Sequence, residues 1–318
     1  EIKAHFGYKN TTLVEEILDI LVRDRILQIK KVQENVSMNI KFQNGPNSSN
    51  ALKMGQEYLD YAAKVTFYGE DVIETWTAYA DRIPASLKDD QSKLTLTKAF
   101  SEGANLWNWD EILGRKAYDV FRESALVFAR KELNNLQPQK FLHAGCFNGM
   151  GTSALWVYYL NQGYFQSDTR NIEIIGFHPN EDLIRIAEEE FAAAAKLYTP
   201  QDVTPYKDNW PKYVKKGDLE RMPFEDEAFD VVYTSQIFQW TQGDAFLREL
   251  VRVTKPGGLI FGDITFMSAV GPYLHLHFSP IDRAKGYFDK ETFLNWATNI
   301  GVSKIQTATL LTLFKITK

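Results

Sequence analysis

Two stretches of the sequence decide the fold. Residues 217–235 read GDLERMPFEDEAFDVVYTS, and residues 248–258 read RELVRVTKPGG. The apolar run that begins at Phe229 is typical of a buried strand. The second stretch ends in a Pro-Gly-Gly turn that leads into another apolar run at 258–263. The two stretches therefore predict two strands, the second of which follows directly on a turn.

Apolar runs of this kind recur from residue 140 to the end of the sequence. Short apolar runs that alternate with helical patterns are typical of a parallel sheet with crossover helices. The predicted strands are 140–144, 172–177, 212–216, 229–233, 258–263, 302–306 and 309–316. Helices are predicted at about 152–160 and at 181–197, where composition and spacing agree.

A glycine-containing loop follows the first predicted strand. Residues 143–152 read HAGCFNGMGT and run directly into a predicted helix. Glycines at such a turn let a ligand approach the backbone, and the start of the helix offers free N–H groups. This loop alone is a weak signal, because a tight turn between a strand and a helix has the same composition.

The order and spacing of these segments resemble class I S-adenosylmethionine-dependent methyltransferases, in their small-molecule branch. The resemblance covers about residues 138–318 and is carried by the loop at 143–152, GFHPNEDL at 176–183 and the two stretches quoted first. It implies an α/β fold, a Rossmann-like seven-stranded, mostly parallel sheet with helices on both faces. It also implies S-adenosylmethionine as cofactor and S-adenosylhomocysteine as product.

The resemblance places a cofactor site at the ends of the predicted strands. Asp218 matches the acid that accepts a hydrogen bond from the adenine amino group, and Leu219 would flank the ring. A helix N-cap is the alternative role for Asp218. The full set of expected cofactor contacts is His143, Gly145, Cys146, Phe147, Gly149, His178, Pro179, Asp218, Leu219, Ser235 and Gln236.

Three positions depart from the family pattern. His143 stands where an acidic residue is usual, Phe147 replaces the middle glycine of the loop, and His178 replaces the acid that holds both ribose hydroxyls. Loss of that charge-assisted pair would cost about 1.5–3 kcal/mol. Three interpretations remain open: cofactor binding with altered contacts, a different adenosyl ligand or chemistry, and a degenerate domain kept as a binding or scaffold subunit. His143 and His178 are two ligands without a third, so no metal site is expected.

The substrate side is predicted from the segments after two later strands. Phe238 and Trp240 are candidates for an apolar substrate wall, and packing within the fold is the alternative. His275 and His277 alternate with leucines, so they would point the same way in an extended segment and are candidates for a general base. A polar face of a surface lid is the alternative. Tyr273 completes the predicted pocket, and the aromatic content of 14% favours an apolar or aromatic small molecule.

The first part of the chain is predicted to be a separate domain, with boundaries 1–137 and 138–318. Thr11 or Thr12 is expected to cap a first helix, and further helices are predicted at 51–66, 70–82, 92–103 and 109–134, with two short extended pieces within 28–44. This arrangement loosely resembles the winged-helix dimerisation domain of O-methyltransferases. The resemblance implies a homodimer, and a helical cap without dimerisation is the alternative.

Composition limits the classes of partner. The net charge is −5 and no long basic run occurs, which disfavours a nucleic-acid-binding surface. A single cysteine, Cys146, excludes an intramolecular disulfide. The apolar runs are shorter than the ~18 residues of a membrane span, so we expect no span and a cytoplasmic location. The sequence begins at Glu1 rather than Met, so a preceding segment is not excluded.

Overall fold

The computed structural model describes residues 8–23, 27–28, 41–42, 75, 77–89, 93–102, 105–166, 171–268, 275–302, 304–308 and 313–318. The chain divides into two compact units. The first comprises Glu1–Leu94 and Gly271–Asp282, and the second comprises Thr95–Val270 and Arg283–Lys318. The predicted boundary at 137/138 falls inside the second unit, because residues 95–137 belong to that unit together with the sheet.

The first unit contains helices α1 (Thr11–Arg23) and α2 (Ile83–Lys88) and a short hairpin. Asn10, rather than Thr11 or Thr12, caps α1, because its side chain accepts a hydrogen bond from the N–H of Leu13 at 3.1 Å. The hairpin pairs β1 (Leu27–Gln28) antiparallel with β2 (Lys41–Phe42). The helix predicted at 51–66, most of 70–82 and the rest of 28–44 lie outside the described residues, so the winged helix stays a prediction.

Three helices begin the second unit: α3 (Leu96–Ser101), α4 (Asn105–Leu113) and α5 (Lys116–Leu136). The sequence predicted one helix over 109–134. The break lies at Gly114 and Arg115, where Arg115 takes an extended conformation with φ −72° and ψ 146°. Buried residues of α5, among them Ala125 and Leu133, pack in the core beneath the sheet.

The sheet has seven strands in the order β5-β4-β3-β6-β7-β9-β8. Their bounds are β3 Lys140–Ala144, β4 Glu173–Phe177, β5 Lys212–Val214, β6 Phe229–Ser235, β7 Thr254–Asp263, β8 Lys304–Ala308 and β9 Leu313–Thr317. The first five strands in this order are parallel, and β9 runs antiparallel to both β7 and β8. The predicted fold class is confirmed.

Helices cover the sheet because successive strand residues point to opposite faces. The elements between and after the strands are α6 Met150–Leu160, α7 Glu181–Glu189, α8 Phe191–Lys196, α9 Gly243–Val253, α10 Lys290–Asn299 and 3₁₀ turns at Thr204–Asn209 and Phe238–Trp240. The helix predicted at 181–197 is interrupted at Glu190, which separates α7 from α8. Phe141, Val231 and Phe261 meet the helices of one face. Within the described part of the chain, no helix is both long enough and apolar enough to span a bilayer.

Candidate functional site

The carboxyl ends of three neighbouring parallel strands meet at one edge of the sheet. The backbone N–H groups of Gly145 and Cys146, after β3, donate to the carbonyl of Phe177 at the end of β4, at 2.8 and 3.0 Å. The N–H of His178, after β4, donates to the carbonyl of Val214 at the end of β5, at 3.3 Å. In open α/β sheets this edge is where ligands bind. The predicted site segments are therefore brought together.

The loop after β3 needs an unusual backbone. Gly145, Phe147 and Gly149 have φ angles of 76°, 49° and 82°, in the left-handed region. Glycine adopts this region freely, whereas a residue with a Cβ pays about 1–2 kcal/mol. A Cβ on Gly145 would lie 2.6 Å from Cγ1 of Ile237, so the space above this glycine is filled by the chain itself.

His143 is a buried, neutral side chain. Its Nδ1 lies 2.8 Å from Oγ1 of Thr152, and its ring packs on Tyr233 with centroids 4.6 Å apart. Burial lowers the pKa of His143 to about 3. Its Nε2 has no partner among the described residues. Burial also raises the pKa of the neighbouring Cys146 thiol, which disfavours the reactive thiolate.

His178 is also fully buried and neutral. Its Nδ1 accepts a hydrogen bond from the N–H of Asn180 at 3.2 Å, so Nε2 carries the ring hydrogen. Burial lowers the pKa of His178 to about 3. A neutral imidazole has one ring nitrogen for each of two ribose hydroxyls, but Nδ1 of His178 is already used by Asn180, which leaves Nε2 alone for such a contact. Nε2–H remains a single buried donor, for which the described residues provide no acceptor. Pro179 follows as a half-buried residue.

Asp218 lies in a turn after β5 and has both carboxylate oxygens engaged. Oδ1 accepts from the N–H of Glu220 at 2.9 Å, and Oδ2 pairs with Nη1 of Arg283 at 2.6 Å. The residues after Asp218 form a turn, so the alternative role as a helix N-cap does not apply. Leu219 is 1% exposed and packs inside the unit rather than facing an open cleft.

Ser235 and Gln236 end β6 beside a buried carboxyl group that the sequence analysis did not single out. Nε2 of Gln236 donates to Oδ1 of Asp263 at 2.7 Å, and Oε1 of Gln236 accepts from Thr265 at 2.8 Å. Burial raises the pKa of Asp263 to about 6. The sequence feature that could have indicated this carboxyl group is Asp263 itself, the one acidic residue at the end of the otherwise apolar run 258–263.

The two aromatic residues predicted for a substrate wall are both packing residues in this structure. Phe238 is fully buried, with its ring 4.9 Å from Phe246 and 5.9 Å from Phe314. Trp240 is 3% exposed and contacts Phe100 and Trp109 of α3 and α4, at 4.6 and 5.1 Å. Of the two roles considered for Phe238 and Trp240, the structure shows packing within the fold.

Phe100 of α3 is the centre of an aromatic cluster over the strand ends. Its ring lies 5.4 Å from Phe147, 5.6 Å from His178, 4.6 Å from Trp240 and 5.3 Å from Trp109. We call these five residues the aromatic cluster. Phe100 and Trp109 could not be predicted as part of this site, because nothing in the sequence of α3 or α4 indicates which distant strand ends these helices cover.

The candidate general bases belong to the first unit. His275 lies in a helical turn and His277 in the turn that follows, so this segment is not extended as the alternation had assumed. Side chains two apart in a helical turn do not share a face. Their catalytic role stays a prediction. Tyr273 lies outside the described residues.

Comparison with known proteins identifies the second unit. A protein-family model described as "Methyltransferase domain" matches residues 142–262, which include β4, β5 and β6 and most of β3 and β7. Residues 142–262 belong to a methyltransferase domain. The family resemblance seen in the sequence is therefore confirmed.

Relatives of the methyltransferase domain match limited parts of the chain. A malonyl-[acyl-carrier protein] O-methyltransferase of Herminiimonas arsenicoxydans is 48% identical over 50 residues, which is 15% of this chain and 19% of the relative. The chain thus matches about a fifth of that relative's length. The DszA carbon methyltransferase structure is similar with a TM-score of 0.62 at 16% identity, over 99% of this chain and 80% of that one. A putative O-methyltransferase from Nostoc punctiforme gives 0.54 at 13% identity, over 96% and 84%. Both structures share the fold.

The cofactor of class I methyltransferases is S-adenosylmethionine, and the methyltransferase domain offers part of what that group requires. Buried donors and acceptors without partners among the described residues, including Nε2 of His143 and His178, lie at the strand ends. A cavity lined by His143, Cys146, Phe147, Ser235 and Gln236 measures about 10 Å³, enough for one water molecule. This cavity by itself is too small for an adenosyl group, so these side chains would have to move apart to admit one at this point.

A metal-dependent variant of the chemistry has no support in the described part of the chain, where no group of three or more His, Cys, Asp or Glu residues has metal-binding geometry.

Proposed function

We propose that this chain is an S-adenosylmethionine-dependent methyltransferase that acts on a small, apolar or aromatic molecule, with oxygen as the favoured acceptor atom. The observation that carries the proposal is the meeting of the 143–149 loop, His178 and the segment of Asp218 at the carboxyl ends of adjacent parallel strands. The match of residues 142–262 to a methyltransferase domain supports it.

Methyl transfer mainly requires the protein to position the acceptor atom and the methyl group. S-adenosylmethionine, when bound, supplies an electrophilic methyl group. The chain would align the acceptor atom and exclude water. A general base is needed only for an acceptor that carries a proton at neutral pH, and His275 and His277 are the proposed candidates. Asp218 and Leu219 are the proposed adenine contacts, and Ser235 and Gln236 are proposed near the reacting end.

Carbon is the second candidate acceptor. The similarity to the DszA carbon methyltransferase extends over 99% of this chain, beyond the residues that the family model matches. That similarity is one of fold. The O-methyltransferase similarity includes both sequence and fold, and we therefore favour oxygen.

Calorimetric titration with S-adenosylhomocysteine tests the cofactor assignment. We expect the wild type to bind and Asp218→Ala to bind at least about tenfold more weakly, because a carboxylate hydrogen bond to adenine is lost. Glu225→Ala is the matched control, an exposed carboxylate in the same segment that should leave affinity unchanged. Absence of binding at millimolar ligand, both by the wild type and by a folded variant that lacks the Phe100 ring, would defeat the proposal and favour a binding or scaffold role.

The acceptor atom can be read from the product. Protein supplied with methyl-labelled S-adenosylmethionine and either a malonyl thioester or a phenol should transfer label. A methyl ester is released by mild base, whereas a methyl group on carbon or an ether is retained. Mass spectrometry of the malonyl product before and after base treatment separates oxygen from carbon.

The proposal also includes a homodimer and a cytoplasmic location. Light scattering coupled to size-exclusion chromatography would measure the mass directly, and a mass near 36.5 kDa, that of one chain, would remove the dimer from the proposal.

A further inference from the structure

We propose that α3 is a lid whose Phe100 side chain occupies the cofactor cleft, so that the chain must expel its own aromatic ring before an adenosyl ligand can bind. This inference rests on the proposed function. It concerns a regulatory contact within the second unit, to which α3, α4 and the strand ends all belong.

Phe100 fills the position next to the end of β4. It is completely buried and contacts Phe147 of the loop after β3 and His178 after β4, at 5.4 and 5.6 Å. Phe147 and His178 are in turn 5.0 Å apart. These are two of the three positions where the sequence departs from the family pattern. The side chains of Phe147 and His178 therefore form the surface against which Phe100 packs.

Hydrogen bonds hold the lid closed. The side-chain amide of Asn180 donates to the carbonyl of Thr97 at 3.0 Å and to Oγ of Ser101 at 2.7 Å, at the two ends of α3. The side-chain amide of Asn148 donates to Oδ1 of Asp110 on α4 at 2.8 Å. Asn148 and Asn180 lie in the loops that follow β3 and β4. Both strand ends are thus tied to the helices that carry Phe100 and Trp109.

A closed lid has a quantitative consequence. When only a fraction of the protein is competent to bind, the apparent dissociation constant rises by the inverse of that fraction. A change that loosens the lid should therefore tighten ligand binding even though it removes contacts. If Phe100 were instead a wall residue of an open pocket, its removal would weaken ligand binding.

Two variants loosen the lid by different means. Phe100→Ala removes the ring, and Asp110→Ala removes the tie from α4 to Asn148 without making a cavity in the cluster. Glu111→Ala, an exposed neighbour on the same helix, is the control. Circular dichroism of each variant verifies folding, and Phe100→Leu replaces Phe100→Ala if the latter does not fold. Binding of S-adenosylhomocysteine is measured by calorimetry, and its association rate by stopped flow.

We expect Phe100→Ala and Asp110→Ala to bind S-adenosylhomocysteine about tenfold more tightly than the wild type and Glu111→Ala. The wild-type association rate should level off with ligand concentration, because opening limits it. Equal or weaker binding by both variants, with clear binding by the wild type, overturns the lid and leaves the proposed function intact. No binding by any folded variant overturns both.

Discussion

Three departures from the family pattern act together at the scale of single residues. His143, Phe147 and His178 are each buried, and both histidines are held neutral because burial lowers their pKa to about 3. An unpaired carboxylate at either position would cost several kcal/mol in the same surroundings. The replacements therefore suit a cleft that is closed by aromatic rings, rather than one that faces solvent.

Asp263 should make stability depend on pH. Burial raises its pKa from 3.8 to about 6, so the folded state binds a proton more tightly than the unfolded state between these values. Its stabilising contribution is fully present below pH 4 and is lost as pH rises through 6. Asp263→Asn keeps an acceptor for Gln236 and does not titrate. We expect the stability of this variant relative to the wild type to rise by roughly 2 kcal/mol between pH 4 and 6.

Urea unfolding at pH 4, 5, 6 and 7 measures this difference. The difference between variant and wild type cancels the titration of the other groups. A difference between Asp263→Asn and the wild type that stays constant across the pH series would show that the pKa of the native Asp263 carboxyl group is not raised.

At the scale of elements, close backbone contacts between strands determine where glycine is required. Gly262 in β7 faces Thr234 in β6, and a Cβ added there would lie 1.8 Å from the carbonyl oxygen of Thr234. The apolar run at 258–263 therefore contains a glycine for packing, although the backbone there is an ordinary strand. The glycines of the 143–149 loop differ, because their φ angles are positive.

Gly262→Ala should be severely destabilising. The added methyl group must separate two central strands, and we expect a loss of about 3 kcal/mol or more in the free energy of unfolding. Gly114→Ala is the matched control, since its Cβ would lie 3.4 Å from the nearest atom. That variant should stay within about 0.5 kcal/mol of the wild type. Similar stability of the two variants in urea would refute the packing argument.

At the scale of the whole molecule, the stable part of the structure is the centre of the seven-stranded sheet. β3, β6 and β7 are each paired on both sides and buried, whereas β5 and β8 are the edge strands. Helices α3, α4 and α5 belong to the same unit, although the sequence placed them before the domain boundary. Their buried apolar residues, among them Phe100, Trp109 and Leu133, pack against the sheet or in the aromatic cluster.

Amide hydrogen exchange should be slower in the central strands of the sheet than in its edge strands. Amide groups in β3, β6 and β7 exchange only when the unit opens globally, so peptides from these strands should be the slowest. Peptides that cover β5 and β8 should exchange faster, because an edge strand loses its pairing locally. Mass spectrometry of peptides after deuterium labelling measures both. Equal protection of edge and centre would contradict this order.

The sequence by itself determined the methyltransferase domain: its parallel strands, the glycine loop after β3 and the neighbouring positions of Gly145, His178 and Asp218. These features depend on local periodicity, turn chemistry and the order of strands, all of which are written along the chain. Only the tertiary structure decided that Phe100 covers the strand ends, that Arg283 occupies the Asp218 carboxylate and that Phe238 is core. Those contacts join residues far apart in the sequence, as between Phe100 and His178 or between Phe100 and Trp240. No local pattern encodes which distant side chain fills a given space, because that depends on how the packed elements meet.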